Sequence, residues 1–410
     1  MNGFTTRAVH GFSLKKDPHG SLRMPVYDNA AFEIGPSRDL ELAFAGKKAA
    51  HAYSRITNPT VEDFEQRIRI LTGAFGVIAV SSGMAAIANT IMTLAEKGSN
   101  IVTSRFLFGH SISLFETTFK RWGLETRYVD MLDLSAVKNA IDDKTSLIFL
   151  EVITNPQLEI ADLKAISSVA SDRNIPVVLD GTLTTPYMIR SKDFGIAVEI
   201  ISSTKYISGG ATSVGGLIID NGIFNWSNFP LLADDAVRVG PGAFISRLRR
   251  EVYRNFGACL SPHNAWLQAL GLETMALRIE RSCKNALALA VFLKGHTKVK
   301  SVNYPGLPDS PFHEIAQRQF NNLFGGILTF ELEGKNESFQ LMDSLQLIKR
   351  ATNLNDNKSL IIHPASTIFA DNTIEEKSGM KVSEGLIRLS AGIEDIDDII
   401  NDLNQGLEKL

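Results

Sequence analysis

Short apolar runs alternate with segments of helical periodicity between about residues 77 and 220. The runs have the length and the β-branched content of buried strands. They fall at Val77–Val80, Asn100–Ser104, Thr126–Val129, Ser146–Glu151, Pro176–Asp180, Val198–Ser202 and Gly216–Ile219. Helical segments between them are Ala85–Ala95, Gly109–Arg121, Leu134–Ile141 and Leu163–Asp172. Apolar strands interleaved with amphipathic helices predict an α/β domain, whose mostly parallel sheet is flanked by helices.

The pattern changes after about residue 240. A long helix is predicted over Ser261–Gly295, because apolar residues form a stripe along it. Further strands are predicted at Val299–Tyr304, Gly326–Glu333, Leu345–Ala351 and Leu386–Ala391, and helices at His313–Gln319, Ser338–Asp343 and Ile396–Leu407. Helices beside a smaller sheet predict a second, α+β domain. We therefore assign residues 58–245 to the α/β domain and residues 246–410 to the α+β domain.

Residues 1–57 show no sustained periodicity and carry scattered glycine and proline. A segment of this size without its own core must lie on another surface to be ordered. We therefore predict an N-terminal arm that contacts a neighbouring subunit. A helix is expected directly after the arm, because apolar residues recur at helical spacing behind Asn58 or Thr60, either of which can cap it.

Composition narrows the class of protein. The chain has 410 residues, is 44% hydrophobic and carries a net charge of -3, which argues against a general binder of nucleic acid or membrane surfaces. Its two cysteines, Cys259 and Cys283, lack metal-ligand spacing, so no metal site is expected. The N-terminus lacks the apolar core of a signal peptide, and no apolar run is long enough to span a bilayer. Together these features predict a cytoplasmic protein.

The stretch from Ser202 to Gly210 carries a lysine where a predicted strand ends. A buried ammonium is costly, so Lys205 suits use as a neutral nucleophile, above all in a Schiff base. Taken alone, the stretch fits a surface loop with a solvated lysine slightly better. Two other strand ends favour chemistry, because Asn155 follows one strand and Asp180 ends the next. Ligands of parallel sheets bind beyond these carboxyl ends.

A carboxylate at Asp180 and a Schiff-base lysine at Lys205 suit pyridoxal 5'-phosphate. The aldehyde of this cofactor reacts with the amine, and a carboxylate keeps its ring nitrogen protonated. Its phosphate needs hydrogen-bond donors and a cation. Candidates are the backbone at Gly83 and Met84, where a turn opens a helix, the hydroxyls of Ser202 and Thr204, and the side chains of Tyr53 and Arg55.

Each of these features has a second interpretation. Asp180 can be a turn residue, although the following Gly181 and the nearby Pro186 argue against a helix start. Asn155 and Pro156 fit a plain turn. The glycine-rich residues 209–216 suggest a nucleotide site, but no Gly-Lys-Ser/Thr follows and the segment leads into a strand.

Seven segments together resemble the transsulfuration (Cys/Met metabolism) family of pyridoxal-phosphate enzymes. They are Tyr53–Thr60, Ser82–Ala86, Thr154–Pro156, Asp180, Ser203–Tyr206, His363–Thr367 and Ile387–Glu394. The resemblance covers nearly the whole chain and implies the aspartate-aminotransferase fold, fold type I. Within the family, residues 260–265, 271–274, 304–307 and 325–330 most resemble O-acetylhomoserine sulfhydrylases.

The resemblance assigns roles to individual residues. It makes Lys205 the Schiff-base lysine and proton shuttle, and Asp180 the partner of the ring nitrogen. Further cofactor contacts are implied for Gly83, Met84, Phe108, Asn155, Thr182, Ser202 and Thr204, and from the neighbouring subunit for Tyr53 and Arg55. Arg388 is implied to bind the substrate carboxylate, helped by Asn155 and Ser359, although its local sequence also fits a surface ion pair.

Two departures from the family pattern affect these roles. Phe108 stands where the family usually has a tyrosine, so it can stack on the cofactor ring but lacks the phenol. Any acid–base duty of that phenol then passes to Tyr53 or Lys205. His110 stands where the resemblance to methionine γ-lyases would require a cysteine, which weakens the lyase interpretation.

The implied activity is γ-replacement on O-acetyl-L-homoserine by sulfide, in a homotetramer built from dimers that share active sites. Cystathionine γ-synthase, methionine γ-lyase and a catalytically idle cofactor-binding protein are the alternatives. Lys358 precedes Ser359 and is expected to disfavour cysteine as the nucleophile, unless it points to solvent.

Overall fold

The computed structural model describes residues 3–11, 17 and 19–410. Its larger sheet has seven strands: β1 (Gly76–Val80), β2 (Asn100–Ser104), β3 (Glu125–Val129), β4 (Thr145–Glu151), β5 (Val177–Asp180), β6 (Val198–Ile201) and β7 (Gly216–Asp220). Their order across the sheet is β1-β7-β6-β5-β4-β2-β3. Only β7 runs antiparallel to its neighbours. The prediction of a mostly parallel sheet is therefore confirmed.

Most of the helices up to residue 256 cover the two faces of this sheet. In chain order they are α1 (Phe4–His10), α2 (Ser37–Phe44), α3 (Pro59–Thr72), α4 (Gly83–Leu94), α5 (Gly109–Ser113), α6 (Leu134–Ala140), α7 (Leu163–Ser171), α8 (Thr185–Met188), α9 (Ala233–Val239), α10 (Ala243–Arg247) and α11 (Arg254–Phe256). Asn58 caps α3, because its side chain accepts from the N–H of Thr60 at 2.9 Å. Two apolar clusters form the core, one on each face of the sheet.

The helix α12 (Pro262–Lys294) joins this core to a second sheet. Its 33 residues extend over roughly 50 Å. Leu272 and Ile279 pack in the core of the large sheet, whereas Leu289 and Leu293 pack in the core of the smaller one. A Cβ at Gly271 would lie 2.0 Å from the carbonyl oxygen of Ile207, so only glycine allows α12 to approach the loop after Lys205 this closely.

The smaller sheet has five strands: β8 (Ser301–Asn303), β9 (Ile327–Glu331), β10 (Lys349–Arg350), β11 (Leu360–Ile362) and β12 (Leu386–Ser390). Their order is β10-β11-β12-β9-β8. The helices beside it are α13 (His313–Gln319), α14 (Lys335–Ser344), α15 (Ile374–Gly379) and α16 (Ile396–Leu407). Arg388 lies on β12, opposite Ile362 of β11 and Thr329 of β9.

The structure differs from the sequence prediction in three places. The arm expected to be irregular contains α1 and α2. Helix α1 packs on its own chain, since Ala8 is buried and Arg7 Nη1 donates to the carbonyl of Ile70 at 2.8 Å. Residues 1, 2, 12–16 and 18 of the predicted arm lie outside the described residues.

The strand predicted over Leu345–Ala351 shrinks to β10, and the buried strand β11 was not predicted. Among the described residues, no helix is long and apolar enough to cross a membrane.

Candidate active site

The carboxyl ends of β4, β5 and β6 lie side by side. Glu151 ends β4 and pairs with Asp180 at the end of β5, which in turn pairs with Ile200 of β6. The chain then continues through Ser202 to Lys205. Strand order therefore places Asp180 and the segment that carries Lys205, 25 residues later in sequence, at neighbouring strand ends, which is the arrangement that the sequence pattern predicted.

Asp180 is held by the segment that follows it. Its Oδ1 accepts from the Thr182 N–H at 2.9 Å, and the Thr182 hydroxyl accepts from the Ser202 N–H at 2.8 Å. Burial raises the pKa of Asp180, and its hydrogen bonds with Thr182 oppose that rise. A cation opposite this carboxylate would keep it ionised, as the protonated ring nitrogen of pyridoxal phosphate does.

Glu151 is a buried acid that sequence reasoning missed. Its Oε1 accepts from the Phe108 N–H at 2.6 Å. Burial raises the pKa of Glu151 well above the ordinary value, and the neighbouring Asp180 raises it further. The signal was present in the sequence, because this acid ends an apolar run in the same way as Asp180. Glu151 thus fixes the backbone of Phe108, whose ring meets that of His110 edge-on at 5.0 Å.

The turn before α4 has the features of an anion site. Ser82 caps the helix by accepting from the Ala85 N–H at 3.0 Å, and the N–H groups of the first turn point outward. A Cβ at Gly83 would lie 2.7 Å from Cβ of Ser202, so glycine allows Ser202 to lie against this turn. The Ser202 hydroxyl has no hydrogen-bond partner within the described part of the chain. A helix N-terminus and an available hydroxyl fit a phosphate group.

Thr204 is engaged differently. Its hydroxyl accepts from the Gly215 N–H at 3.0 Å and lies 3.2 Å from the Gly215 carbonyl oxygen. These two contacts connect the segment that carries Lys205 to the segment that enters β7. A phosphate contact from Thr204 would have to share that hydroxyl, so its predicted role stays a prediction.

Lys205 meets a residue from the smaller domain that sequence reasoning did not single out. Its Nζ donates to Oδ1 of Asn353 at 2.6 Å. Burial and, to a lesser extent, the positive charge of Arg388 lower the pKa of Lys205 to about 8, against the opposing effect of Asp356. An amine with this pKa is neutral in a large fraction of molecules near pH 8, as a nucleophile and base requires.

Arg388 is buried, with 2% of its surface exposed. Its Nη1 donates to Oδ1 of Asn155 at 3.2 Å, and its Nη2 donates to the Asn353 carbonyl at 3.0 Å. Burial lowers its pKa to about 10. Its Nε is buried without a partner in the described residues. A buried guanidinium with an unused donor fits a substrate carboxylate, and the surface ion-pair interpretation does not describe this residue.

Ser359 is not brought to Arg388. Its hydroxyl donates to Oε2 of Glu394 at 3.0 Å, and its N–H donates to Oε1 of the same carboxylate at 2.6 Å. The hydroxyl also accepts from the Gly392 N–H at 3.0 Å. The predicted help from Ser359 in carboxylate binding therefore stays a prediction, and the residue that contacts Arg388 from this loop is Asn353, through its carbonyl.

Three other predicted residues lie apart from this cluster. Tyr53 is 43% exposed, with the Arg55 guanidinium 5.5 Å from its ring centroid. Arg55 donates to the carbonyl of Arg254 in its own chain. Neither residue contacts Lys205 or Asp180 within the chain, so a role across a subunit interface stays a prediction. Lys358 is exposed, in agreement with the alternative that it points to solvent.

The described residues contain no group of three or more His, Cys, Asp or Glu side chains arranged to hold a metal ion. A half-buried lysine, a carboxylate at a neighbouring strand end, a helix N-terminal turn and a buried arginine fit a pyridoxal-phosphate enzyme of fold type I. The sequence profile of the Cys/Met metabolism PLP-dependent enzyme family matches residues 5–408. The chain belongs to this family, and pyridoxal 5'-phosphate is its cofactor.

Particular relatives resemble the chain over most of its length. A Campylobacter jejuni structure that carries N'-pyridoxyl-lysine-5'-monophosphate at its own position 205 has a TM-score of 0.95 and 34% identity, over 99% of this chain and 100% of that one. An O-acetylhomoserine sulfhydrylase of Wolinella succinogenes is 51% identical, with a TM-score of 0.78, over 86% of this chain and 98% of that one. An L-methionine gamma-lyase of Fusobacterium nucleatum is 37% identical, over 100% of this chain and 98% of that protein.

Proposed function

We propose that the protein converts O-acetyl-L-homoserine and sulfide into L-homocysteine and acetate, a step of methionine biosynthesis. The observation that carries this proposal is the 51% identity with the sulfhydrylase of Wolinella succinogenes, well above the 37% identity with the methionine γ-lyase. In the balanced reaction, the bond between Cγ and the acetate oxygen breaks and a bond between Cγ and sulfur forms. Hydrosulfide supplies the sulfur, and acetate carries away the negative charge.

The cofactor, when bound, accepts the electron pair released at Cα of the substrate. Asp180 supplies the negative charge that keeps its ring nitrogen protonated. The turn at Gly83 and Met84, together with the Ser202 hydroxyl, holds its phosphate. Thr182 positions Asp180 and Ser202 relative to each other through the two hydrogen bonds described above.

Lys205 and Arg388 act on the substrate. Arg388 binds the α-carboxylate. Hydrogen bonds to Asn155 and to the Asn353 carbonyl hold its guanidinium in a fixed orientation before the substrate arrives. Lys205 removes the proton from Cα, because an amine with a pKa of about 8 has a substantial neutral fraction near that pH. It returns a proton later in the reaction, so the net proton count at this amine is unchanged.

Methionine γ-lyase is the second candidate, because a lyase covers the whole chain at 37% identity. That reaction breaks the bond between Cγ and sulfur instead of forming it. Both reactions use the same lysine, carboxylate and arginine, so these three groups do not discriminate between them. Cystathionine γ-synthase and an idle cofactor-binding protein are further outcomes of the same assay.

Turnover with a panel of substrates tests the proposal. The cofactor-loaded protein is given O-acetyl-, O-succinyl- or O-phosphohomoserine, each with sulfide or cysteine, and separately L-methionine alone. We expect homocysteine from O-acetylhomoserine and sulfide at the highest kcat/KM. Faster release of methanethiol from methionine identifies a lyase, cystathionine as the main product identifies a synthase, and no turnover of any pair identifies an idle protein.

We also propose that the active unit is a dimer whose sites receive Tyr53 and Arg55 from the partner, that two dimers form a homotetramer, and that the protein acts in the cytoplasm. The exposed aromatic and aliphatic side chains of the arm support an interface there, among them Leu22 at 99% exposure and Phe44 at 71%. Light scattering of the purified protein tests the assembly.

A further inference from the structure

The loop between β10 and β11 connects the two charged groups of the substrate site. Asn353 accepts from Lys205 Nζ with its side chain and from Arg388 Nη2 with its main chain, at 2.6 and 3.0 Å. One residue of the smaller domain therefore contacts both the reacting amine and the carboxylate clamp.

The orientation of the Asn353 amide is set by a second residue. Its Nδ2 donates to Oδ2 of Asp356 at 2.9 Å. A carboxylate only accepts hydrogen bonds, so it fixes Nδ2 toward itself and leaves Oδ1 facing Lys205. Asp356 is buried, and its Oδ1 is occupied by the Lys358 N–H at 3.1 Å. The carboxylate is thus held by the backbone and cannot easily turn away from Asn353.

We propose that Asp356 and Asn353 form a positioning pair for the Lys205 amine: Asp356 orients the amide of Asn353, and Asn353 binds one hydrogen of the amine. The inference rests on the role proposed for Lys205, but it does not depend on which substrate is used. With one hydrogen bound by Asn353, the lone pair of the neutral amine remains available for the proton of Cα. Asp356 acts through Asn353, so it is a positioning residue.

The pair also changes the charge balance at Lys205. Burial and the Arg388 guanidinium lower the pKa of Lys205, whereas the carboxylate of Asp356 raises it. These are the two charged side chains that act on the amine from the smaller domain, Arg388 from β12 and Asp356 from the loop. Asp180 of β5 belongs to the larger domain and faces Glu151.

The loop has anchors that do not involve the Asp356 side chain. The Asn355 N–H donates to Oγ of Ser390 at 2.8 Å, and the Asn357 N–H donates to the Gly209 carbonyl at 2.8 Å. Replacing Asp356 by asparagine keeps its size and keeps an acceptor for the Lys358 N–H. We therefore expect this variant to fold, which separates the proposed role from a merely structural one.

The test measures the pKa of Lys205 in the cofactor-free protein. Acetic anhydride labelling over a pH series, read by peptide mass spectrometry, gives the midpoint for Lys205, with the exposed Lys284 as internal reference. Asp356→Asn should lower the midpoint for Lys205 by roughly 0.5 to 1 pH unit, because the opposing carboxylate is lost. The double variant Asn353→Asp/Asp356→Asn moves the carboxylate next to the amine, so its midpoint should rise above that of the wild type.

The proposal would be overturned if folded Asp356→Asn kept the wild-type midpoint for Lys205. A double variant whose midpoint does not exceed that of Asp356→Asn would also overturn it. Circular dichroism confirms folding, and Asn353→Ala provides a second variant, whose midpoint should also differ from that of the wild type. Adding pyridoxal phosphate and borohydride to separate aliquots of the same proteins that were not acetylated tests the role of Lys205 separately. Failure to label Lys205 with the cofactor would refute the proposed function. The acetylation midpoints would still test whether Asp356 and Asn353 act as a positioning pair.

Discussion

The two sides of the active site are built differently. On the large-domain side, Asp180 and Ser202 sit at the ends of hydrogen-bonded parallel strands, so the sheet fixes where they lie. On the small-domain side, Asn353 and Asp356 sit in a loop that a few hydrogen bonds hold between two strands. We infer that the large domain presents a rigid cofactor platform, whereas the small domain positions the substrate and the free amine through side-chain contacts.

Replacing Asp180 tests the platform with the largest expected effect. Asp180→Asn keeps the shape and removes the negative charge, so kcat should fall roughly 100- to 1,000-fold. Glu151→Gln is the matched control, because burial and Asp180 raise the pKa of Glu151 and so disfavour its charged form, and glutamine keeps its size. We expect that variant to stay within a few-fold of wild-type kcat. Equal losses in both variants would contradict the separate roles assigned to these acids.

Replacing Arg388 tests the small-domain side. Loss of a charge-assisted hydrogen bond costs about 1.5–3 kcal/mol, so Arg388→Ala should raise KM roughly 10- to 150-fold. The KM of Arg388→Lys should lie between those of the wild type and Arg388→Ala, since lysine keeps the charge without the planar fork. Steady-state kinetics of both variants, with the exposed Arg121→Ala as control, measures the effect. An unchanged KM would place the carboxylate elsewhere.

Mixing subunits tests whether the platform is completed by a neighbour. Arg55→Ala and Lys205→Ala should each be nearly inactive alone. After random exchange, half of the dimers are hybrids with one wild-type site in two, so about a quarter of wild-type activity should return. Mass-tagged subunits report the exchange. No recovery in samples that contain hybrids would leave Arg55 in the role it has within its own chain, as a partner of the Arg254 carbonyl.

The last prediction concerns stability and not turnover, at an acid buried beneath the platform. Glu199 on β6 accepts from Ser191 Oγ at 2.6 Å, and burial raises its pKa to about 7. The folded state therefore favours the protonated acid, and this stability is lost as pH rises from about 4.5 through 7. Glu199→Gln removes that dependence, so its unfolding free energy should improve relative to wild type over this range, by about 3 kcal/mol at most. Urea unfolding at pH 5 and pH 8 measures the change, and an identical difference at both values would contradict it.

Much of the platform could be predicted from sequence because its residues end apolar runs. The runs before Asp180 and Lys205 mark strand ends, and parallel strands share one edge. Glu151 carried the same signal. Helix α1 could not be predicted with similar ease, because its seven residues bury little apolar surface besides Ala8.

The small-domain contacts were harder to predict. Strand β11 has three residues, too few for a clear hydrophobic period. The position of the loop before it could therefore not be predicted. Asn353 and Asp356 lie in a run of polar residues where each looks like an ordinary loop residue. Ser359 was assigned to the substrate by resemblance, but Glu394 binds both its hydroxyl and its N–H. Such partners come from long-range packing, which local patterns do not encode.

The most direct test of the account asks whether the two sides meet at one lysine. The protein is loaded with pyridoxal 5'-phosphate, reduced with borohydride, digested and analysed by peptide mass spectrometry. We predict a single pyridoxyl modification on Lys205, and its loss together with the visible absorption band in Lys205→Ala. Modification of a different lysine, or an unchanged band in Lys205→Ala, would contradict the site described for this chain.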